Sequence, residues 1–165
     1  MFKFRESPKP LIWSYTLLLA LGLEAGALVF QYLLDYGPCA LCVQIRATLF
    51  GALLLAVSGK IFSARSIQTL LAFLLVPLMA FLLYQSYQVL GIERYWFESS
   101  CTLSDPFPNW FPLHLWLPAI FEPWELCGYT PEIIKGITMA EVLIVTAAVS
   151  LALSIWHLIN QLKSQ

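Results

Sequence analysis

Tyr36-Gly37-Pro38-Cys39-Ala40-Leu41-Cys42-Val43-Gln44-Ile45-Arg46 lies between two long apolar segments, and the rest of the chain is read outward from it. Pro38 cannot continue the helix before it but suits the start of the next. Cysteines three apart can face each other on the first turn of a helix. Cys42 and Arg46 stand four apart, so a helix puts them on one face. The helix dipole favours a thiolate at its N-terminus, and a guanidinium one turn later adds to that. The thiolate is the reactive form of cysteine, so the stretch has the makings of a redox site.

The 165 residues are 59% hydrophobic and 12% charged, against about 25% charged in soluble domains. Composition alone indicates a membrane protein. A net charge of −1 gives no electrostatic case for nucleic acid as a partner. Six Trp and a 15% aromatic content suit residues anchored at membrane interfaces. Four apolar stretches reach the roughly 20 residues needed to cross a bilayer. They are about 11–34, 43–62, 67–90 and 138–159. The first is too long for a signal-peptide core and is expected to stay. The chain is thus expected to be one all-α membrane domain, 1–165, a bundle of four transmembrane helices. Its outer loops are about 35–42 and 91–137.

Basic residues orient the bundle. Lys3, Arg5 and Lys9 precede the first span, Lys60 and Arg65 join the second to the third, and Lys163 follows the fourth. The positive-inside rule puts that side, with both termini, in the cytoplasm. Acidic residues dominate the other side: Asp35, Glu93, Glu98, Asp105, Glu122, Glu125 and Glu132, with Arg94 and Lys135 as exceptions. All four cysteines then fall on the outer, oxidising side, where disulfides persist. Spacing alone leaves their pairing open.

Within the spans, Glu24 is unusual, because a carboxylate in hydrocarbon should face other helices or carry a proton. A hydrogen bond between helices is the plain reading and a part in proton movement the sharper one. Pro10 suits the first position of a helix. The long outer loop sets Pro106, Pro108, Pro112, Pro118 and Pro123 among Trp110, Phe111, Trp116, Phe121 and Trp124. Those prolines exclude one long helix. The aromatics suit a segment in the headgroup region with a short interfacial helix near Leu113–Phe121. Such a loop can carry Cys101 to a partner, or simply rest on the lipid.

A C-x-x-C pair also occurs in zinc sites. Here the remaining cysteines, Cys101 and Cys127, are far apart and flanked by prolines, so no metal is expected. A Cys39–Cys42 bridge closes too small a loop to stabilise the fold much, which favours redox use over stapling. For Arg46 the plain reading is snorkelling to lipid phosphate, and the sharper one is stabilising a thiolate or an anionic acceptor. No G-x-G-x-x-G is present for a flavin or nicotinamide. His114 and His157 are not placed as paired haem ligands. By elimination, a hydrophobic acceptor dissolved in the bilayer fits, and a quinone beside Cys42 and Arg46 is the natural one.

The sequence resembles the DsbB family of bacterial inner-membrane disulfide-generating oxidoreductases. Pro38-Cys39-x-x-Cys42 with Arg46 carries the likeness, with Leu23-Glu24-x-x-Ala27-Leu28-x-Phe30-Gln31 upstream. Downstream, Cys101 is followed by Phe107-Pro108-x-Trp110-x-Pro112-Leu113-x-x-Trp116-x-Pro118-x-x-Phe121 and then Cys127. The resemblance implies a relay. A reduced periplasmic thioredoxin-like oxidase, DsbA or DsbL in type, attacks a Cys101–Cys127 disulfide at Cys101. Electrons pass to Cys39–Cys42 and through Cys42 to ubiquinone or menaquinone, with Arg46 helping to bind the quinone. The resting disulfides implied are Cys39–Cys42 with Cys101–Cys127, or a cross-linked Cys42–Cys101 form. Gln88 stands where some relatives carry a histidine, and Glu125-Leu126 before Cys127 also departs from the usual pattern. Such differences suit a paralogue such as the DsbI branch. Two other readings compete: a quinone-coupled reductase like vitamin K epoxide reductase, whose C-x-x-C lies late in the chain rather than after the first span, and a disulfide-stapled tetraspan scaffold.

Overall fold

The computed structural model describes residues 11–96, 106–128, 130–134 and 136–163. In chain order the elements are α1 (Leu11–Leu33), α2 (Ala40–Ile61), α3 (Arg65–Glu93), α4 (Leu113–Trp116), α5 (Pro118–Phe121), β1 (Glu132–Ile134), β2 (Ile137–Thr138) and α6 (Met139–Lys163). Helices α1, α2, α3 and α6 are each long and apolar enough to cross a membrane. At 1.5 Å per residue, 22 residues span ~33 Å, and a hydrocarbon core is ~30 Å thick. The protein is a multi-pass membrane protein built on a four-helix bundle.

The bundle is apolar outside and partly polar inside. Leu18, Leu21, Phe73, Phe81, Val145 and Trp156 are exposed, while Thr16, Thr48, Gln68, Gln85, Ser150 and Ser154 are buried. In lipid, large apolar side chains gain nothing by leaving the surface, so small and polar residues make the helix contacts. On α6 the buried set is Ala140, Ala147, Ser150, Ser154 and Gln161, a stripe along one face. Several of the buried hydroxyls find a nearby acceptor. Thr48 Oγ1 donates to Gln85 Oε1 at 2.8 Å, and Ser154 Oγ to the Ser150 carbonyl at 2.7 Å. The far end, away from the cysteines, is tied by Trp13. Its Nε1 donates to Gln68 Oε1 at 2.6 Å, and Gln68 Nε2 donates to the Gly59 carbonyl at 2.7 Å. The Trp13 ring lies directly on Gly59, where a Cβ has no room.

Several boundaries differ from the sequence reading. The second helix begins at Ala40 rather than Val43, which takes Cys42 into its first turn. The third runs through Pro77 to Glu93, and the fourth runs on to Lys163. The interfacial helix expected near Leu113–Phe121 is two single turns, α4 and α5. Leu117 between them leaves the helical region (φ −135°, ψ 65°), because the residue before a proline is kept out of the α region and Pro118 restarts the helix. A short antiparallel β1–β2 hairpin was not foreseen. It turns at Gly136 (φ +86°), a conformation that favours glycine, and feeds α6. Thr138 and Glu141 cap that helix reciprocally, the Thr138 N–H donating to Glu141 and the Glu141 N–H to the Thr138 hydroxyl. Arg94 pairs with Glu141 and joins the end of α3 to the start of α6. The opening expected of Pro10 lies outside the described residues.

Around the bundle α1 packs on α2, α2 on α3, and α3 on α6, while α1 and α6 touch least. That weak seam is where the candidate site lies.

Candidate redox site

Cys39 caps the N-terminus of α2. Its Sγ accepts a hydrogen bond from the Cys42 N–H at 3.2 Å. Cys39 and Cys42 are joined as a disulfide, with Cα atoms 4.9 Å apart. The bridge sits where exposed backbone N–H groups favour negative charge, so opening it would leave a stabilised thiolate. Of the two resting arrangements considered, the structure holds Cys39–Cys42 and not a Cys42–Cys101 cross-link. Cys127 is disulfide-bonded. Cys101 lies outside the described residues.

The two sulfurs face different surroundings. Cys39 is buried under the outer loop. Its backbone forms a parallel bridge with Glu125, and the Trp124 N–H donates to the Pro38 carbonyl at 2.9 Å. Gly37 permits this approach, since a Cβ there would meet Trp124 Cβ at 2.8 Å and Glu125 Cγ at 3.0 Å. Cys42 instead lines a cavity of about 340 Å³ in the α1–α6 seam.

That cavity is walled by Leu23, Gly26, Ala27 and Phe30 of α1, by Ile45 and Leu49 of α2, and by Met139, Ala140 and Leu143 of α6. Arg46, Tyr36 and Thr130 add polar groups. Its size falls within the ~300–1,000 Å³ of small-molecule sites, and an apolar wall with few polar groups is their usual chemistry. These features fit a lipid-soluble ring bearing carbonyl oxygens.

Arg46 does not snorkel. It is only 5% exposed and is held by protein. Nη1 donates to Gln31 Oε1 at 2.5 Å and to the Ile120 carbonyl at 2.9 Å, and Nη2 donates to the Ala27 carbonyl at 3.1 Å. A planar guanidinium can bridge α1 and the α5 turn in this way where an ammonium cannot. Two further bonds fix the loop on the bundle: Gln44 Nε2 donates to the Pro106 carbonyl at 2.7 Å, and the Tyr32 hydroxyl donates to the Ala119 carbonyl. Below them Val43 packs with Phe107 and Phe121. The hydrogen bond between helices expected of Glu24 is not made by its Oε1, which is buried and without a partner among the described residues. Gln88 does not line the cavity.

Sequence reasoning had no role for Gln44, Tyr32, Glu93 or Thr130, and met Gln31 only within the family pattern. Gln31 and Gln44 carry a weak signal as polar residues in or beside apolar runs. Their partners lie 15 and 62 positions away, beyond any local pattern.

The family model described as disulfide bond formation protein DsbB matches residues 9–157. The chain belongs to the DsbB family. Among its relatives, disulfide bond formation protein B of Shewanella amazonensis is 33% identical over 155 residues, covering 93% of this chain and 92% of the relative. The Shewanella frigidimarina protein of that name is 30% identical over 156 residues, covering 92% and 91%. That of Shewanella loihica is 32% identical over 143 residues, covering 86% and 84%. This DsbB-family chain is therefore a membrane oxidoreductase of disulfide formation.

Proposed function

We propose that the protein is a quinone-linked thiol oxidase of the bacterial inner membrane, with termini in the cytoplasm and cysteines in the periplasm. It reoxidises a thioredoxin-like dithiol oxidase of the DsbA or DsbL type and delivers the electrons to ubiquinone or menaquinone. One observation carries this reading: Cys42 of the Cys39–Cys42 disulfide and the buried Arg46 line the same apolar cavity at a seam between helices.

The steps follow from thiol exchange. A partner thiolate attacks Cys101 of a Cys101–Cys127 disulfide and leaves with a new disulfide, so the loop pair becomes reduced. A loop thiolate then attacks Cys39, beside which the Glu125 bridge holds the segment leading to Cys127. Attack at Cys39 expels Cys42 as the thiolate; the second loop thiolate then attacks the first loop sulfur, re-forming Cys101–Cys127 and releasing Cys39 as a thiolate. Cys42 then faces the cavity with Arg46. As the Cys39–Cys42 bridge closes again, the pair releases two electrons and two protons, which a quinone held there would take up. Arg46 supplies a fixed positive charge where negative charge develops on the acceptor, the most effective placement for such a group.

The test is quinone consumption by the purified protein in detergent, with a reduced DsbA-type protein as donor. Consumption should require the donor, and both Cys42→Ser and Cys101→Ser should abolish it. Folded protein that consumes no quinone with any donor, or a Cys42→Ser variant that keeps its activity, would overturn the reading.

A further inference from the structure

We propose that Thr130, backed by Glu93, is the second polar pole of the quinone cavity and its route for protons. This rests on the quinone reading above. A quinone has two carbonyl oxygens on opposite sides of its ring, and each must gain a proton on reduction. Arg46 serves one side of the cavity, together with Cys42 on α2. On the side built by α6 and the segment leading into it, the lining is Thr130, Pro131, Ile133, Met139, Ala140, Val142 and Leu143. Thr130 is the only one of these whose side chain can hydrogen-bond.

Its hydroxyl is not idle. Thr130 Oγ1 donates to Glu93 Oε2 at the end of α3, and that carboxylate is only partly buried. A hydroxyl between a cavity and a carboxylate that reaches towards solvent is a proton relay in form. Once the carboxylate has taken a proton from water, the hydroxyl can turn its own proton to an acceptor oxygen in the cavity and accept the one behind it. Gly128 helps to set the position. Its φ of +126° turns the chain just after Cys127, and a Cβ there would meet Ile92 Cγ2 at 3.8 Å, so the turn lies against the end of α3.

The step balances as follows. The reduced Cys39–Cys42 pair loses two electrons and two protons as its S–S bond forms. The quinone gains both electrons. The oxygen on the Cys42 side takes a proton from the thiol pair. Glu93 first takes a proton from periplasmic water and hands it to the Thr130 oxygen as the Thr130 hydroxyl turns its own proton to the far oxygen, and the second thiol proton returns to periplasmic water.

The test compares the parent with Thr130→Val, Thr130→Ser, Glu93→Gln and Tyr36→Phe, Tyr36 being the other hydroxyl in the lining. Two quantities are read: the affinity of the oxidised protein for decylubiquinone, from quenching of tryptophan fluorescence, and the single-turnover rate at which decylubiquinone oxidises pre-reduced protein. Thr130→Val should weaken binding roughly three- to tenfold, the worth of one neutral hydrogen bond, and Thr130→Ser should restore it. Glu93→Gln should bind nearly as the parent does and slow the single turnover roughly 100-fold, as loss of a general acid does. The proposal is overturned if Thr130→Val matches the parent in both readings, if Thr130→Ser is as defective as Thr130→Val, or if Tyr36→Phe alone shows the loss. A parent protein that neither binds nor reduces decylubiquinone would instead sink the quinone reading, and this proposal with it.

Discussion

Replacing Arg46 by Leu separates the bracing role seen in its contacts from the role towards the acceptor proposed above. The first is mechanical. Arg46 makes three hydrogen bonds, to Gln31 and Ala27 on α1 and to the Ile120 carbonyl in α5. In membrane proteins such bonds average about 0.6 kcal/mol and reach about 1.7. Three are worth ~2 kcal/mol, or ~5 at most, by that scale. Against this, a charged side chain at the bilayer centre costs ~2.5–3.5 kcal/mol and less towards the ends. Arg46 lies in the second turn of α2, so only part of that cost is recovered by Leu. The two effects nearly cancel, and Arg46→Leu should lose no more than about 2 kcal/mol, which for a chain of this size is a melting shift below ~8 °C. Most of the loss should come from Gln31, which is fully buried and keeps an acceptor without its donor. A Gln31→Leu/Arg46→Leu double variant should therefore recover part of it in a double-mutant cycle.

The second role is chemical and has no such compensation. Losing a charge-assisted hydrogen bond to the acceptor costs ~1.5–3 kcal/mol, which is about 10- to 150-fold in quinone affinity at 1.4 kcal/mol per factor of ten. Melting in detergent and decylubiquinone titration on the same preparation read both roles at once. A large fall in melting temperature with unchanged quinone affinity in the protein that remains folded would refute the chemical role and leave Arg46 as a brace.

Other perturbations follow from the same contacts. Gly26 lines the cavity, and a Cβ there would meet nothing within 4 Å. Gly26→Leu should leave the melting temperature unchanged or raised, since helical glycine is costly, while raising the KM for quinone at least tenfold by filling the cavity. Gly59→Ala forces the Trp13 ring off α2 and should cost about 1–3 kcal/mol, as overpacking does, visible as a lower melting temperature with normal turnover per folded molecule. Gly37→Ala should push Trp124 and Glu125 away from Pro38 and Cys39. Stopped-flow reduction of Cys39–Cys42 by the protein donor should slow, while reduction by a small dithiol should not, and equal slowing of both would contradict a docking role for that segment.

Much of this architecture was legible because its causes are local. Four apolar runs, a proline before a C-x-x-C, and Arg46 one turn later each act within a few residues, and the helices formed accordingly. What escaped was set by distance or by competition. Leu117 yielded to the φ,ψ limits imposed by Pro118, so one expected helix became two turns. Arg46 could be read as a snorkelling residue because nothing near it in sequence announces Ile120, which meets it across 74 positions. The β1–β2 hairpin is too short for an alternating pattern to register. Thr130 carries no local signal in the sequence, and only the fold places it at the cavity with a carboxylate behind it.

The placement of the two bridged sulfurs gives the proposed relay its direction. A disulfide exchanges at whichever sulfur a thiolate can reach. If both sulfurs opened on the same space, a loop thiolate could attack Cys42 and leave Cys39 as the reduced end, with no acceptor beside it. Cys39 instead lies under the loop, its backbone bridged to Glu125, while Cys42 opens on the cavity. In the proposed relay, thiol chemistry therefore arrives from one side and electron transfer to the acceptor leaves from the other. The Arg46 bond to the Ile120 carbonyl ties the loop to the cavity wall. A loop displaced by a partner would free one guanidinium N–H while the reduced pair is being formed. Replacing the bundle contacts of the loop (Gln44→Ala with Tyr32→Phe) should then increase exchange at the wrong sulfur. Trapping with a small thiol would show it as a rise in Cys42 adducts over Cys39 adducts, and an unchanged ratio would mean that access, and hence direction, is set by α2 alone.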